Sequence, residues 1–208
     1  MEAEPEIYVV DDDPHLREAL ELLLGTAGIR VRSFESAEAM IDALPAEKPV
    51  CALVDLIMPG MGGLGLVREL ASRQRASSVI VVTAYGDVPM AVEAMRAGAM
   101  HFIEKPFEPE TLLDLIGEAM QRTRQLAQEQ EQIHAARESI AALTTREREV
   151  LQLLAEGSPN KVIAATLDIS IRTTEHHRAA VMRKMGARTL SQLIRTLLLA
   201  QPPNLTRL

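Results

Sequence analysis

The sequence has no tryptophan, one cysteine, two tyrosines and three phenylalanines among 208 residues. Any core must therefore be aliphatic, filled by methionine, of which there are ten. The single Cys51 excludes an intrachain disulfide and suits a reducing compartment. It opens an apolar run, so it reads as a plain buried thiol rather than a redox sensor. No uninterrupted apolar stretch approaches the roughly 20 residues that a bilayer span needs. The N-terminus is acidic, not basic-then-apolar as in an export signal. A soluble, cytoplasmic chain with no membrane partner is the expectation.

Apolar residues make up 47% of the chain, enough for a globular core. Charge is unevenly spread. Residues 1–124 carry 21 acidic against 11 basic side chains, residues 125–141 carry 3 against 1, and residues 142–208 carry 5 against 10. An acidic front and a basic back suggest two modules, the second suited to a polyanion.

The front is organised around Ala52-Leu53-Val54-Asp55-Leu56-Ile57-Met58-Pro59-Gly60. An apolar run suited to a buried strand ends in one acid, with Pro-Gly punctuation just after it. The same grammar repeats along the chain. Ile7–Val10 ends in Asp11-Asp12-Asp13, with Asp13 as a helix cap and Pro14 in the first turn. The first helix carries Leu16, Leu20, Leu23 and Leu24 and is closed by Gly25 and Gly28. Arg30–Phe34 reads as a second strand and Ser36–Leu44 as a second helix. Gly60–Gly63 leads into a third helix with Leu64, Val67 and Leu70 on one face. Ser78–Val82 ends in Thr83-Ala84, and Asp87-Val88-Pro89 opens helix four. Met100–Glu104 ends in Lys105-Pro106, and Pro109 starts helix five. Five strands alternating with five helices predict a parallel, doubly wound α/β sheet of the flavodoxin-like kind.

Asp11, Asp12, Asp55, Thr83 and Lys105 all fall at the carboxyl edge of that sheet, where open α/β sheets bind ligands. Clustered carboxylates stay ionised together only beside a cation. All-oxygen donors favour a hard ion such as Mg²⁺ (or Mn²⁺). Asp12 and Asp55 are the expected direct ligands, with Asp11 acting through water and the backbone carbonyl of Ile57 completing the set. Lys105 adds fixed positive charge and Thr83 a hydroxyl. Together these groups match the oxygens of a transferring phosphoryl group. The expected reaction is attack by Asp55 on a phosphoryl donor, giving an aspartyl phosphate. A phosphohydrolase of the dehalogenase type would need a second acid two residues on, where this chain has Ile57.

The pattern Asp11-Asp12-Asp13, Asp55-x-x-Met58-Pro59-Gly60, Thr83-Ala84 and Phe102-x-x-Lys105-Pro106 resembles the receiver domain of bacterial two-component response regulators. The resemblance implies Asp55 as phosphoacceptor, Asp11, Asp12 and the Ile57 carbonyl around the metal, and Lys105 as phosphate sensor. It implies Thr83 and Phe102 as switch residues and a cis Lys105-Pro106 bond. A sensor histidine kinase is the implied phosphoryl donor. Asp87, Met90, Val92, Met95 and Ala99 lie along helix four and strand five. Some must be core, and an exposed remainder would form a homodimer face on phosphorylation.

From Leu112 onward, Ala119, Leu126, Ile133 and Ile140 recur every seven residues. Arg122 and Glu129 interrupt the partner positions, so both a solvated helical linker and a conditional coiled coil fit. The expected division is a receiver at 1–124, a helical linker at 125–141 and a third module at 142–208.

In that module Thr144-x-x-Glu147 is a capping box before Val150, Leu151 and Leu154. Gly157 ends the helix and Ser158-Pro159 starts the next, through Ile163 and Leu167. A tight turn at Asp168-Ile169-Ser170 precedes a third helix near Arg172–Met185. Thr189-x-x-Gln192 reads as a second capping box. Two short helices about a tight turn, in a basic four-helix unit, suggest helix-turn-helix DNA binding. An ordinary helical bundle that binds protein, in a phosphate-accepting adaptor, is the alternative.

The runs Thr145-Arg146-Glu147-Arg148-Glu149-Val150-Leu151, Asn160-Lys161-x-Ile163-Ala164 and Arg172-Thr173-x-Glu175-x-His177-Arg178 resemble the LuxR-type output domain. The whole chain then resembles a response regulator of the NarL/FixJ family, nearest its FixJ branch. The resemblance implies a transcription regulator of promoter DNA, not an enzyme. Glu175, His176 and Ala179 would face base edges. Lys161, Arg172, Thr173, Arg178, Arg183 and Lys184 would contact phosphates. Thr174, His176 and Asp168 depart from the family pattern, His176 standing at a base-facing position where an aliphatic residue is typical. The Thr174 hydroxyl is expected to bond back to the preceding turn, and Asp168 to take a left-handed conformation.

Overall fold

The computed structural model describes residues 6–44, 49–72, 77–84 and 88–200. It divides into two compact units, Met1–Gln128 and Glu129–Leu208.

In the first unit the strands are β1 (Glu6–Val10), β2 (Arg30–Phe34), β3 (Cys51–Asp55), β4 (Ser78–Thr83) and β5 (His101–Glu104). The helices between them are α1 (Pro14–Thr26), α2 (Ala37–Ala43), α3 (Gly62–Ser72) and α4 (Val88–Ala97), and α5 (Pro109–Ala141) follows β5. The sheet is parallel, in the order β2-β1-β3-β4-β5. The doubly wound architecture read from the sequence is the one observed. Its strand order reverses between β1 and β3, the crevice where such sheets bind ligands.

Alternation along the strands sorts the core into two layers. Tyr8, Val10, Ala52, Val54, Val79 and Val81 pack with Met40, Leu66, Leu70 and Ala94 of α2, α3 and α4. Ile7, Val9, Leu53, Ile80 and Val82 pack with Leu20, Leu24, Leu112 and Ile116 of α1 and α5. Both layers are aliphatic, as the scarcity of aromatics requires. Cys51 is 1% exposed, and burial pushes its thiol pKa up to about 12, so it is an inert core residue.

Several ends differ from the sequence reading. Gly25 lies inside α1, and it is Gly28 that takes the left-handed conformation after it (φ 73). Asp55 and Thr83 are the last strand residues rather than the first beyond the strand, while Asp11 and Lys105 lie just past theirs. Asp87 lies outside the described residues. The seven-residue spacing after Leu112 belongs to α5, which continues unbroken to Ala141. Ala136 near its end is buried, and Ile140 packs against the core of the second unit.

The second unit adds α6 (Thr145–Ala155), α7 (Asn160–Thr166), α8 (Ile171–Lys184) and α9 (Leu190–Ala200). Val150, Leu151, Leu154, Ile163, Val181 and Leu193 form its core. The Thr144–Glu147 capping box is reciprocal, as the sequence indicates. Ser158 does not start α7, because its N–H is used to close α6: it donates to the Leu153 carbonyl across Gly157 (φ 80). Thr189 and Gln192 form a looser cap. Thr189 accepts from the Gln192 N–H, but Gln192 reaches back to the N–H of Arg188 instead of Thr189.

Candidate functional site

At the carboxyl edge of the sheet, Asp11 is buried at 3% exposure, Asp12 is exposed and Asp55 lies between. β1 and β3 are neighbours in register, Val10 beside Val54, so both strands deliver an acid to one crevice. Lys105 Nζ bridges them, 2.6 Å from Asp55 Oδ2 and 2.9 Å from Asp11 Oδ2. The Lys105-Pro106 bond is cis, as the resemblance implies. The other carboxylate oxygens are also fixed. Asp11 Oδ1 accepts from the Asp13 N–H and Asp55 Oδ1 from the Ile57 N–H, each at 2.9 Å.

Burial raises the Asp11 pKa against the opposing pull of Lys105 and the Asp13 N–H. Burial disfavours the Lys105 charge too, but the carboxylates of Asp55 and Asp11 outweigh it and raise the ammonium pKa. The lysine therefore stays charged as the counter-ion of the acid pair.

Carboxylate oxygens of Asp11, Asp12 and Asp55 lie within 4.8 Å of one another. Oxygen donors so gathered suit a hard divalent cation, and each bonded oxygen keeps a second lone pair for it. The cluster is thus compatible with Mg²⁺.

Thr83 is fully buried at the end of β4. Phe102 is half-buried on β5, opposite Val81, and packs against the α2–α4 layer. By strand alternation Thr83 belongs to that same layer. On α4, Ala94 is buried, while Val88, Val92 and Met95 are 75%, 43% and 48% exposed. Ala99 is core and Met90 half-buried.

Two residues that the sequence reading did not single out touch this site. Arg17 of α1 donates from its guanidinium to the Asp11 carbonyl at 2.6 Å. Glu38 of α2 accepts the Met61 N–H at 2.7 Å in the loop after Asp55. Arg17 lies one helical turn past Asp13, a spacing that could have flagged it. Glu38 lies 23 residues from Met61 and follows a helix cap, so it reads as an ordinary first-turn acid.

In the second unit, α7 and α8 are joined by a turn in which Asp168 is left-handed (φ 52). Ser170 caps α8, accepting from the Thr173 N–H at 3.0 Å. Thr174 is fully buried, and its hydroxyl donates to the Ser170 carbonyl at 3.2 Å. Both are the conformations expected of these two departures. Glu175, His176 and Ala179 are exposed on α8. Lys161, Arg172 and Arg183 are exposed, while Thr173 and Arg178 are half-buried. Arg178 donates to Asn160 Oδ1 at 2.9 Å, tying α8 to α7.

Lys184 departs from the expected phosphate set. Its ammonium lies 2.7 Å from Glu147 Oε2 and 3.2 Å from the Ala142 carbonyl, so it locks the cap of α6. The ammonium of Lys184 and the Thr144 N–H hold the Glu147 carboxyl down to about 2.

Residues 7–117 match the response regulator receiver domain family, and residues 141–197 match the luxR family of bacterial regulatory proteins. Over 189 residues the chain is 42% identical to the transcriptional regulatory protein FixJ of Bradyrhizobium diazoefficiens, covering 91% of this chain and 92% of FixJ. Among solved structures, the response regulator StyR superposes with a TM-score of 0.85 at 38% identity, covering 94% of this chain and 99% of StyR. Full-length FixJ from B. japonicum superposes with a TM-score of 0.56 at 40% identity, covering 95% and 98% of the two chains.

A parallel receiver sheet with an acid cluster at its edge, followed by a LuxR-type helical unit, defines a two-component response regulator. Within that class the chain belongs to the FixJ family of transcriptional regulators. These are regulators of transcription rather than enzymes, as the sequence reading expected.

Proposed function

We propose that a sensor histidine kinase phosphorylates Asp55 and that the phosphorylated chain pairs with a second copy and binds promoter DNA. The observation that carries the reading is the Lys105 ammonium held between Asp55 and Asp11 at 2.6 and 2.9 Å. A carboxylate oxygen of Asp55 attacks phosphorus as the donor's bond to phosphorus breaks, and the leaving group departs with that electron pair. Asp12, Asp55 and the Ile57 carbonyl would hold Mg²⁺ (or Mn²⁺), with Asp11 acting through water. When bound, the ion neutralises charge on the transferring phosphoryl oxygens. Lys105 exchanges a carboxylate oxygen for a phosphoryl oxygen, and the Thr83 hydroxyl donates to another. Phe102 follows Thr83 inward, since both belong to one layer of the sheet.

The exposed apolar side chains of Val88, Val92 and Met95 form the α4 part of a pairing surface that α4 shares with β5. Functionally the chain divides into a receiver at 1–124, a helical linker at 125–141 and a DNA-binding domain at 142–208, working in the bacterial cytoplasm. No described helix is long and apolar enough to cross a membrane.

α8 enters the major groove, with Glu175, His176 and Ala179 toward base edges. Lys161, Arg172, Thr173, Arg178 and Arg183 contact phosphates, and Lys184 is reassigned to structure. Paired copies present two such helices about 34 Å apart.

The test is treatment with a small acyl phosphate and Mg²⁺, read by intact mass and by gel shift on the upstream region of the protein's own operon. Wild type gains one phosphoryl group and binds more tightly, while Asp55→Asn does neither. An unaltered mass, or a label on another acid, overturns the reading.

A further inference from the structure

We infer that Glu38, on a helix that contributes nothing to the acid cluster, is a positioning residue for the divalent ion, acting through the loop that carries the Ile57 carbonyl. The inference rests on the phosphoacceptor reading of Asp55.

The loop from Leu56 to Met61 leaves β3 directly beside the acids and is pinned at several points. The Leu56 N–H donates to the Val82 carbonyl at 3.0 Å, continuing the β3–β4 ladder. The Ile57 N–H donates to Asp55 Oδ1. The Gly63 N–H donates to the Leu56 carbonyl at 3.1 Å, and a side chain at Gly63 would collide with the backbone carbonyl of Asp55. These contacts fix the start of the loop and the first turn of α3. Between them the chain from Met58 to Met61 turns through Gly60, which is left-handed at φ 77.

Glu38 holds that turn from outside. Its Oε1 accepts the Met61 N–H at 2.7 Å, and the same oxygen lies 2.6 Å from where a Cβ on Gly60 would stand. The approach is possible only because residue 60 has no side chain. The Met61 N–H also holds the Glu38 carboxyl below the usual range, so the acceptor is ionised at neutral pH. Leu56 and Met58 anchor the loop in the sheet core at 7% and 8% exposure, whereas Ile57 and Met61 are 49% and 43% exposed and leave the far side of the turn without packing. The hydrogen bond from α2 adds a hold at that far side, at the N–H of Met61.

A backbone carbonyl ligates a hard ion well only if its direction is set beforehand, because octahedral Mg²⁺ tolerates little misplacement. Glu38 supplies that constraint without approaching the ion. Losing the bond lets the turn at Gly60 relax and disperses the direction of the Ile57 carbonyl. The carboxylates remain in place, so binding weakens without being abolished.

The test is titration calorimetry of the intact protein with Mg²⁺ alone, for wild type, Glu38→Ala, Glu38→Gln and Asp12→Asn. Glu38→Ala is expected to raise the Mg²⁺ dissociation constant about 10-fold, the low end of the roughly 10- to 100-fold range for loss of an outer hydrogen-bonding partner of a metal site. Glu38→Gln keeps an acceptor oxygen and is expected to stay within about twofold of wild type. In acyl-phosphate reactions Glu38→Ala should raise the half-saturating Mg²⁺ concentration while leaving the rate at saturating Mg²⁺ unchanged, a split that general destabilisation does not produce. The inference is overturned if Glu38→Ala binds Mg²⁺ as wild type does while Asp12→Asn loses binding. It is also overturned if Glu38→Gln is as weak as Glu38→Ala, since that outcome assigns the effect to charge. If Asp12→Asn leaves Mg²⁺ binding intact, the metal reading of the acid cluster itself fails.

Discussion

The receiver unit and the DNA-binding unit use charge in opposite ways. In the first, Lys105 meets Asp11 across 94 residues of sequence and Asp55 across 50, and all three groups are largely withdrawn from water. In the second, the residues proposed to contact DNA fall between Lys161 and Arg183, mostly exposed on two helices. A parallel sheet brings distant strand ends to one edge, so it can assemble a compact reactive cluster. A helix displays near neighbours on one surface, so it can offer a stripe to a long polyanion. Reactivity needs convergence and partial burial, whereas recognition of a duplex needs spread and exposure.

The comparison can be broken most directly through the cores. Ile163 is fully buried in the second unit. Ile163→Ala is expected to cost about 2–5 kcal/mol there and to abolish DNA binding, while phosphorylation of Asp55 proceeds at the wild-type rate. Two-transition melting curves and intact mass check both halves. A parallel loss of phosphoryl transfer would show that the units do not fold separately.

Lys105→Met tests the buried cluster next. Removing the ammonium leaves two carboxylates facing each other in a crevice. A loss of about 1–3 kcal/mol is expected without divalent ion, lower than for a fully buried pair because the lysine is 20% exposed. Saturating Mg²⁺ should restore most of it, as followed by thermal melts with and without chelator.

Among the described residues of the second unit, Lys184 and Glu147 form a partly withdrawn ion pair. The Glu147 carboxyl titrates at about 2 in the folded state, against an ordinary value of about 4.3. A folded pKa below the unfolded one stabilises above the unfolded value and is lost as pH falls. Its contribution is therefore complete above pH ~4.5 and fades toward pH ~2. Glu147→Gln should remove that part of the acid sensitivity, measured by denaturant melts across the window. An unchanged slope would mean that the cap does not depend on the charge.

The smallest expected effect is at Thr174. Its hydroxyl bond duplicates one already made by its own N–H to the Ser170 carbonyl. Thr174→Val should change stability by less than about 1 kcal/mol and leave operator binding intact, as read by chemical denaturation and gel shift.

These contrasts follow what local order can and cannot encode. Strand periods, the Asp13 and Thr144 caps and the left-handed Asp168 depend on near neighbours. All were legible from the sequence. So was the arrival of Asp11, Asp55, Thr83 and Lys105 at one edge, because parallel strands with short connections fix the direction in which each strand ends. The misread ends were competitions for single backbone groups. Ser158 closes α6 instead of opening α7, and Gln192 prefers the N–H of Arg188.

What tertiary structure alone decided is which side chains spend their charge on one another. Sequence offers Lys161 and Lys184 as equivalent lysines, yet one is exposed and the other is fastened to Glu147. It offers Glu38 as a first-turn acid, yet that carboxylate reaches the turn after Asp55. Hydrogen bonds act over about 3 Å, while the residues they join are 23 and 37 positions apart along the chain. Local pattern sets the elements and the edge where they end. Only packing brings those particular atoms within bonding distance.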